Sequence, residues 1–162
     1  MRTVVLVLGL AMAAWILVAQ TPPEQPIPYS HKHHVGTVKL QCKFCHENKE
    51  PGELMGIPAA SKCMGCHKSI KTDSPHIQKL AGFAESNRPV PWKRIYQIPA
   101  YVFFSHQTHL QGAVNKCADC HGAVETRDAL FKEFPTNMGS CMDCHQKKKV
   151  SNDCTFCHEQ RN

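Results

Sequence analysis

Apolar positions are spread unevenly along this chain. Residues Val4 to Ala19 form an unbroken apolar run of 16, preceded by Arg2 and followed by Gln20. That is slightly longer than the core of a typical signal peptide and shorter than a comfortable membrane span. No small-x-small triplet closes it, because Leu17 stands at the third position back. The expectation is a single N-terminal transmembrane helix within residues 1–20, or an uncleaved signal. Arg2 and the free amine would lie on the near side and everything after it outside the cytoplasm, on the periplasmic face of the cytoplasmic membrane. Prolines 22, 23, 26 and 28 make residues 21–28 a stiff spacer. Beyond it the clearest helical period outside the cysteine-bearing segments is one stretch: Ile77, Leu80, Ala81 and Ala84 share a face, with Ser74 as N-cap, Pro75 as first residue and an end near Asn87. His76 is then the second residue of a surface helix. The segment from Arg88 to Pro99 reads as extended.

Composition sharpens the problem of what this chain packs around. Aromatic residues make up 7% of 162, and much of the 42% counted as hydrophobic is ten cysteines plus the N-terminal run. A core of ordinary side chains is not available at that level, so the interior must come from elsewhere.

The cysteines say where. They fall without remainder into five Cys-x-x-Cys-His motifs: Cys42, Cys45, His46; Cys63, Cys66, His67; Cys117, Cys120, His121; Cys141, Cys144, His145; and Cys154, Cys157, His158. Two thiols at this spacing add across the two vinyl groups of one porphyrin edge, while the adjacent imidazole ligates the iron. Zinc knuckles and disulfides also use closely spaced cysteines. Zinc would pair the knuckles two by two and strand one of five, and neither alternative needs a histidine after every second cysteine. The expectation is five covalently bound haem c groups, whose apolar faces replace the missing core. Trp92 is expected against a haem or against the second half of the chain. Haem propionates also change the meaning of the formal charge of +6. Ten ionised propionates outnumber it, so the lysine excess implies no nucleic-acid partner. Lys147 to Lys149 read as a solvated turn.

A repeat supplies further ligands. Ser30, His31, His34, Cys42 and Ser105, His106, His109, Cys117 share the pattern Ser-His-x-x-His, seven residues, haem motif. Histidines three apart lie on one face of a helical turn, and each can reach a different iron. The first copy precedes two motifs and supplies two histidines. The second precedes three and needs one ligand more; Met138, three residues before Cys141, has no counterpart near Cys63. His33, His76 and Met55 remain alternatives for that fifth place, while Met64 and Met142 read as packing.

Residues 102–158 resemble a trihaem class III cytochrome. The resemblance implies His106 on the Cys117/Cys120 haem, His109 on the Cys141/Cys144 haem, and the Met138 position on the Cys154/Cys157 haem, where the small cytochromes carry histidine. By the same logic His31 serves the Cys42/Cys45 haem and His34 the Cys63/Cys66 haem. The implied fold is a class III-like multihaem cytochrome c: short α-helices and irregular loops wrapped around five haems, little β, and the N-terminal transmembrane helix. Its parts are the anchor (1–20), the spacer (21–28), a dihaem module (29–70), a connecting helix and extended segment (71–101) and a trihaem module (102–162).

Over its whole length the chain resembles the membrane-attached pentahaem subunit of alternative complex III. The stretches that carry this are Pro28-Tyr-Ser-His-Lys-His-His-Val-Gly, Lys71-Thr-Asp-Ser-Pro, Pro89-Val-Pro-Trp, Tyr101-Val-Phe-Phe-Ser-His and Met138-Gly-Ser-Cys. Tyr96 stands where that resemblance leads one to expect histidine. Related haem subunits occur in quinone reductase complexes of sulfate reducers. The resemblance implies an electron carrier rather than an enzyme in itself. Its partners would be iron-sulfur and integral membrane subunits of a respiratory complex, with a monohaem cytochrome c or an oxidase as acceptor. A free-standing shuttle would carry the same motifs. A multihaem reductase would need an iron with an open position, whereas five candidate distal ligands answer five irons.

Overall fold

The computed structural model describes residues 21–49, 53–111 and 115–159. It is a small body of short helices and loops, and no strand forms among the described residues. A π-helical turn, Lys32–Thr37, opens the first half and is followed by α1 (Cys42–Cys45), α2 (Ala60–His67) and α3 (Pro75–Glu85). The second half holds α4 (His106–Leu110), α5 (Cys117–His121), a 3-10 turn (Val124–Thr126), α6 (Met138–Lys147) and α7 (Thr155–His158).

The expected transmembrane helix is corrected here. Among the described residues no helix is long and apolar enough to cross a membrane. The longest, α3, has 11 residues, which at about 1.5 Å per residue reach roughly half of a bilayer core. Residues 1–20, on which that expectation fell, lie outside the described residues.

α3 forms where its apolar period predicts. Ser74 is the N-cap and Pro75 the first residue, and Asn87 follows the C-terminus in a left-handed conformation, φ 49°. Its inner face meets α2, and the two enclose a small cluster of Ile27, Ala60, Leu80 and Val90. Trp92 packs on this same cluster. The proline-rich stretch before the first repeat is pinned down at its end. Ile27 is buried, and the Gln25 side-chain amide pairs with both the backbone N–H and the carbonyl of Lys93, at 2.9 and 3.0 Å. These four side chains are the buried apolar core of the described residues.

The two halves meet where the Lys32–Thr37 turn packs on the Val124–Thr126 turn. Lys32 N–H donates to the Arg127 carbonyl at 2.9 Å, and the Ser30 hydroxyl donates to Asp128 at 2.6 Å. Gly36 makes this approach possible, since a Cβ there would run into the Glu125 carbonyl oxygen. Gly36→Ala is therefore expected to cost about 1–3 kcal/mol. Gly82→Ala, in the middle of α3 with nothing near its Cβ, should stabilise by up to about 1 kcal/mol. Thermal unfolding of the haem-loaded protein checks both: the first midpoint falls and the second does not.

Candidate haem-binding sites

Each Cys-x-x-Cys-His motif takes up about one turn of helix. α1 and α5 are little more than the motif itself, α2 ends on His67, α6 carries Cys141 to His145 in its middle, and Cys154 caps α7. One turn sets the two thiols on the same side of the helix, with the imidazole following directly. All ten described thiols are free. Burial pushes the Cys45, Cys63, Cys117, Cys120 and Cys141 thiols above their ordinary values, the opposite of what an activated nucleophilic thiolate needs.

The imidazoles come in pairs. Among the described residues no group of three or more His, Cys, Asp or Glu side chains is gathered as a metal site, as tetrahedral zinc would require. His31 faces His46 with ring centroids 6.4 Å apart and planes 5° from parallel. His106 faces His121 at 6.5 Å and 7°. His34 and His67 lie 6.1 Å apart, tilted by 60°, and His109 and His145 lie 6.2 Å apart, tilted by 37°. With a metal–nitrogen bond of about 2.0 Å, two imidazoles on opposite faces of one metal have centroids roughly 6.3 Å apart. The donor set, the spacing and the adjacent thiol pairs all fit haem iron.

The back of seven of these rings is held so that Nε2 is the nitrogen left for a metal, while His31 Nδ1 is buried without a partner. Nδ1 of His46 lies 2.8 Å from the Gly56 carbonyl, that of His67 3.1 Å from Ile70, that of His145 2.8 Å from Ser151 and that of His158 3.3 Å from Tyr101. On the distal side His34 and His109 reach the carbonyls of Ser30 and Ser105, at 2.9 and 2.8 Å, while His106 reaches Glu53 at 2.8 Å. Such carbonyl partners fix the tautomer and the ring orientation of a metal-ligating histidine. His31 is held down to about 4 by burial, with His46 and His34 adding to it, so its ring is neutral near pH 7 and keeps a lone pair to donate.

The repeat extends one residue further back than its histidines suggest. Tyr29 meets His31 edge-on at 4.7 Å and stacks on His34 at 4.5 Å; Phe104 meets His106 edge-on at 4.8 Å and stacks on His109 at 4.4 Å. Burial, with Cys45 and Cys63 nearby, pushes the Tyr29 hydroxyl up to about 12, so it stays protonated. Tyr96 lies edge-on to His121 at 4.5 Å, and its hydroxyl accepts from the Glu133 N–H.

The fifth motif differs. The ring near His158 is Tyr101, centroid 6.2 Å away. The Tyr101 carbonyl is also the partner of His158 Nδ1, so the Tyr101 backbone lies on the Nδ1 side of the imidazole, away from Nε2. Met138 is the first residue of α6 and 69% exposed. His33 is exposed and edge-on to His34, His76 is exposed on α3, and Met55 is half-buried.

Residues 102–159 match the family described as cytochrome c7 and related cytochrome c. The chain is also 28% identical, over 182 aligned residues, to the "Menaquinone reductase, multiheme cytochrome c subunit" of Nitratidesulfovibrio vulgaris, an alignment that covers 95% of this chain and 87% of that one. These matches, with the five motifs, support electron transfer by a multihaem c-type cytochrome. A protein of that kind carries electrons on covalently bound haem c, which supplies a one-electron iron couple when bound. Of this chain's own residues, the paired thiols would hold the cofactor and the paired imidazoles would ligate it, seven of those rings being oriented by backbone carbonyls. The aromatic residues at 29 and 104 were missed in the sequence, although the shared pattern aromatic-Ser-His-x-x-His signals them. The carbonyl partners have no side-chain signature at all.

Proposed function

We propose that this cytochrome binds five haems, one at each motif, and relays electrons within a quinone-linked respiratory complex of the alternative complex III kind. In this reading His31/His46, His34/His67, His106/His121 and His109/His145 are the axial pairs of four irons, and Met138/His158 those of the fifth. The observation that carries it is the recurrence of one ring separation, 6.1–6.5 Å, at four thiol-pair motifs. With five candidate distal ligands no iron is left open for a substrate, which supports an electron carrier over a reductase. Donor and acceptor are then the complex's iron-sulfur subunit and a monohaem cytochrome or an oxidase.

A second reading is favoured by the relative whose name is menaquinone reductase subunit: the same relay running toward quinone. The direction is set by the partners and their potentials, not by the ligand set. Intact-mass measurement should give the polypeptide plus five haems, and fewer would end the five-site reading. Purification from gently solubilised native membranes should bring iron-sulfur and integral membrane subunits in fixed ratio; a cytochrome recovered alone would make it a free shuttle. Quinol oxidation by the isolated complex with cytochrome as acceptor, against quinone reduction with cytochrome as donor, separates the two directions.

A further inference from the structure

We infer that the attachment motifs are strung as one unbranched file whose order in space differs from their order along the chain. It runs Cys63/Cys66, Cys42/Cys45, Cys117/Cys120, Cys141/Cys144, Cys154/Cys157, and the step between the two halves of the protein is made at Cys42 and Cys117. This rests on the five-haem reading above and deepens it.

Within each half the neighbours are set by the repeat. His31 and His34 come from one short turn and share Tyr29, so the motifs of Cys42/Cys45 and Cys63/Cys66 adjoin; the Cys45 and Cys63 thiols are close enough to interact. His106 and His109 share Phe104 in the same way, and Cys120 lies near both Cys141 and Cys144. The file ends where Cys141 comes close to Cys157 and the short link from His145 to Cys154 is tied by Asn152, whose amide donates to the Met142 carbonyl at 3.2 Å.

The junction is the part that chain order does not give. By sequence the motif before Cys117 is Cys63/Cys66, yet three contacts bring the Cys42/Cys45 motif to Cys117/Cys120 instead. One short segment holds an imidazole of each: the Gly56 carbonyl is the partner of His46, and the Glu53 carbonyl accepts both the His106 N–H at 3.2 Å and its Nδ1 at 2.8 Å. The Lys32–Thr37 turn, which follows His31, packs on the turn that follows His121. The Cys42 and Cys117 thiols themselves are close enough to interact. Since each sulfur bonds a vinyl-bearing porphyrin edge, two porphyrin edges are brought together at that point. α2, with the Cys63/Cys66 motif, packs on α3. The two ends of the file, at which electrons arrive and leave, are therefore the Cys63/Cys66 and Cys154/Cys157 haems.

Proton dipolar contacts in the fully reduced, diamagnetic, haem-loaded protein test the order, each haem being assigned to its motif through the β-protons of its cysteines. Cross-peaks are expected between substituents of the Cys42/Cys45 and Cys117/Cys120 haems, and none between the Cys63/Cys66 and Cys117/Cys120 haems. Cross-peaks between the latter pair, or none between the former, would overturn the order. Fewer than five haems by mass would instead remove the reading on which it rests.

Discussion

His109→Ala is expected to convert one low-spin iron to high spin, so that the low-spin ferric resonance loses about a fifth of its intensity and the reduced protein binds carbon monoxide at one site. His109 lies 6.2 Å from His145, centroid to centroid. Its Nδ1 is engaged by the Ser105 carbonyl at 2.8 Å, and Phe104 stacks on the ring at 4.4 Å. The side chain is therefore aimed, and truncating it leaves the sixth position to water or to an added ligand. His34→Ala should do the same at the Cys63/Cys66 haem, because the geometry is repeated with Tyr29 and Ser30. His33→Ala and His76→Ala are the controls: both side chains are exposed, and both variants should keep the full low-spin signal. Electron paramagnetic resonance of the oxidised variants reads all four. An undiminished low-spin signal in His109→Ala would show that the ring pairing is packing and not ligation.

Much of this site is legible in the sequence because its chemistry is local. A Cys-x-x-Cys-His motif needs five consecutive residues and one helical turn, so the five attachment points need no tertiary information. The repeated spacing says only that the two histidines of a pair can reach different irons; which imidazoles come together, His31 with His46 and His106 with His121 among them, is what the resemblance to trihaem class III cytochromes implies. What the sequence hides is whatever depends on distant backbone. Glu53 and Gly56 act through carbonyl oxygens, which any residue supplies. Ile27 reads as spacer, and Trp92 as a contact of a haem or of the second half of the chain, because nothing local announces the cluster with Leu80 and Val90 in which they are found. The helices themselves are short for the same reason that the motifs are legible: presenting one motif requires one turn, and only α3, which carries none, follows an apolar face for three turns. The apolar count that predicted a membrane helix has no counterpart among the described helices.

Replacing Met138 with histidine should lower the highest of the five midpoint potentials by an amount on the order of 0.1–0.3 V, within the roughly 0.8 V over which axial ligands act, and leave the other four nearly where they were. A thioether sulfur favours ferrous iron relative to an imidazole, so a His/Met iron sits above bis-histidine neighbours. The position suits the role. Met138 opens α6, whose start is fixed by reciprocal bonds between Asn137 and Ser140, at 2.9 and 3.2 Å. It lies one turn before Cys141, on the same helix face, and Cys141 is the thiol that comes close to Cys157. A side chain 69% exposed on that face can extend toward the fifth haem, whereas the Tyr101 backbone stands behind His158. Met138→Ala should accordingly produce one high-spin iron, and Tyr101→Phe none. Spectroelectrochemical titration of the three variants separates the cases. Five unshifted potentials in both Met138 variants would move the fifth ligand to Met55, His33 or His76, and with it the one iron expected at high potential.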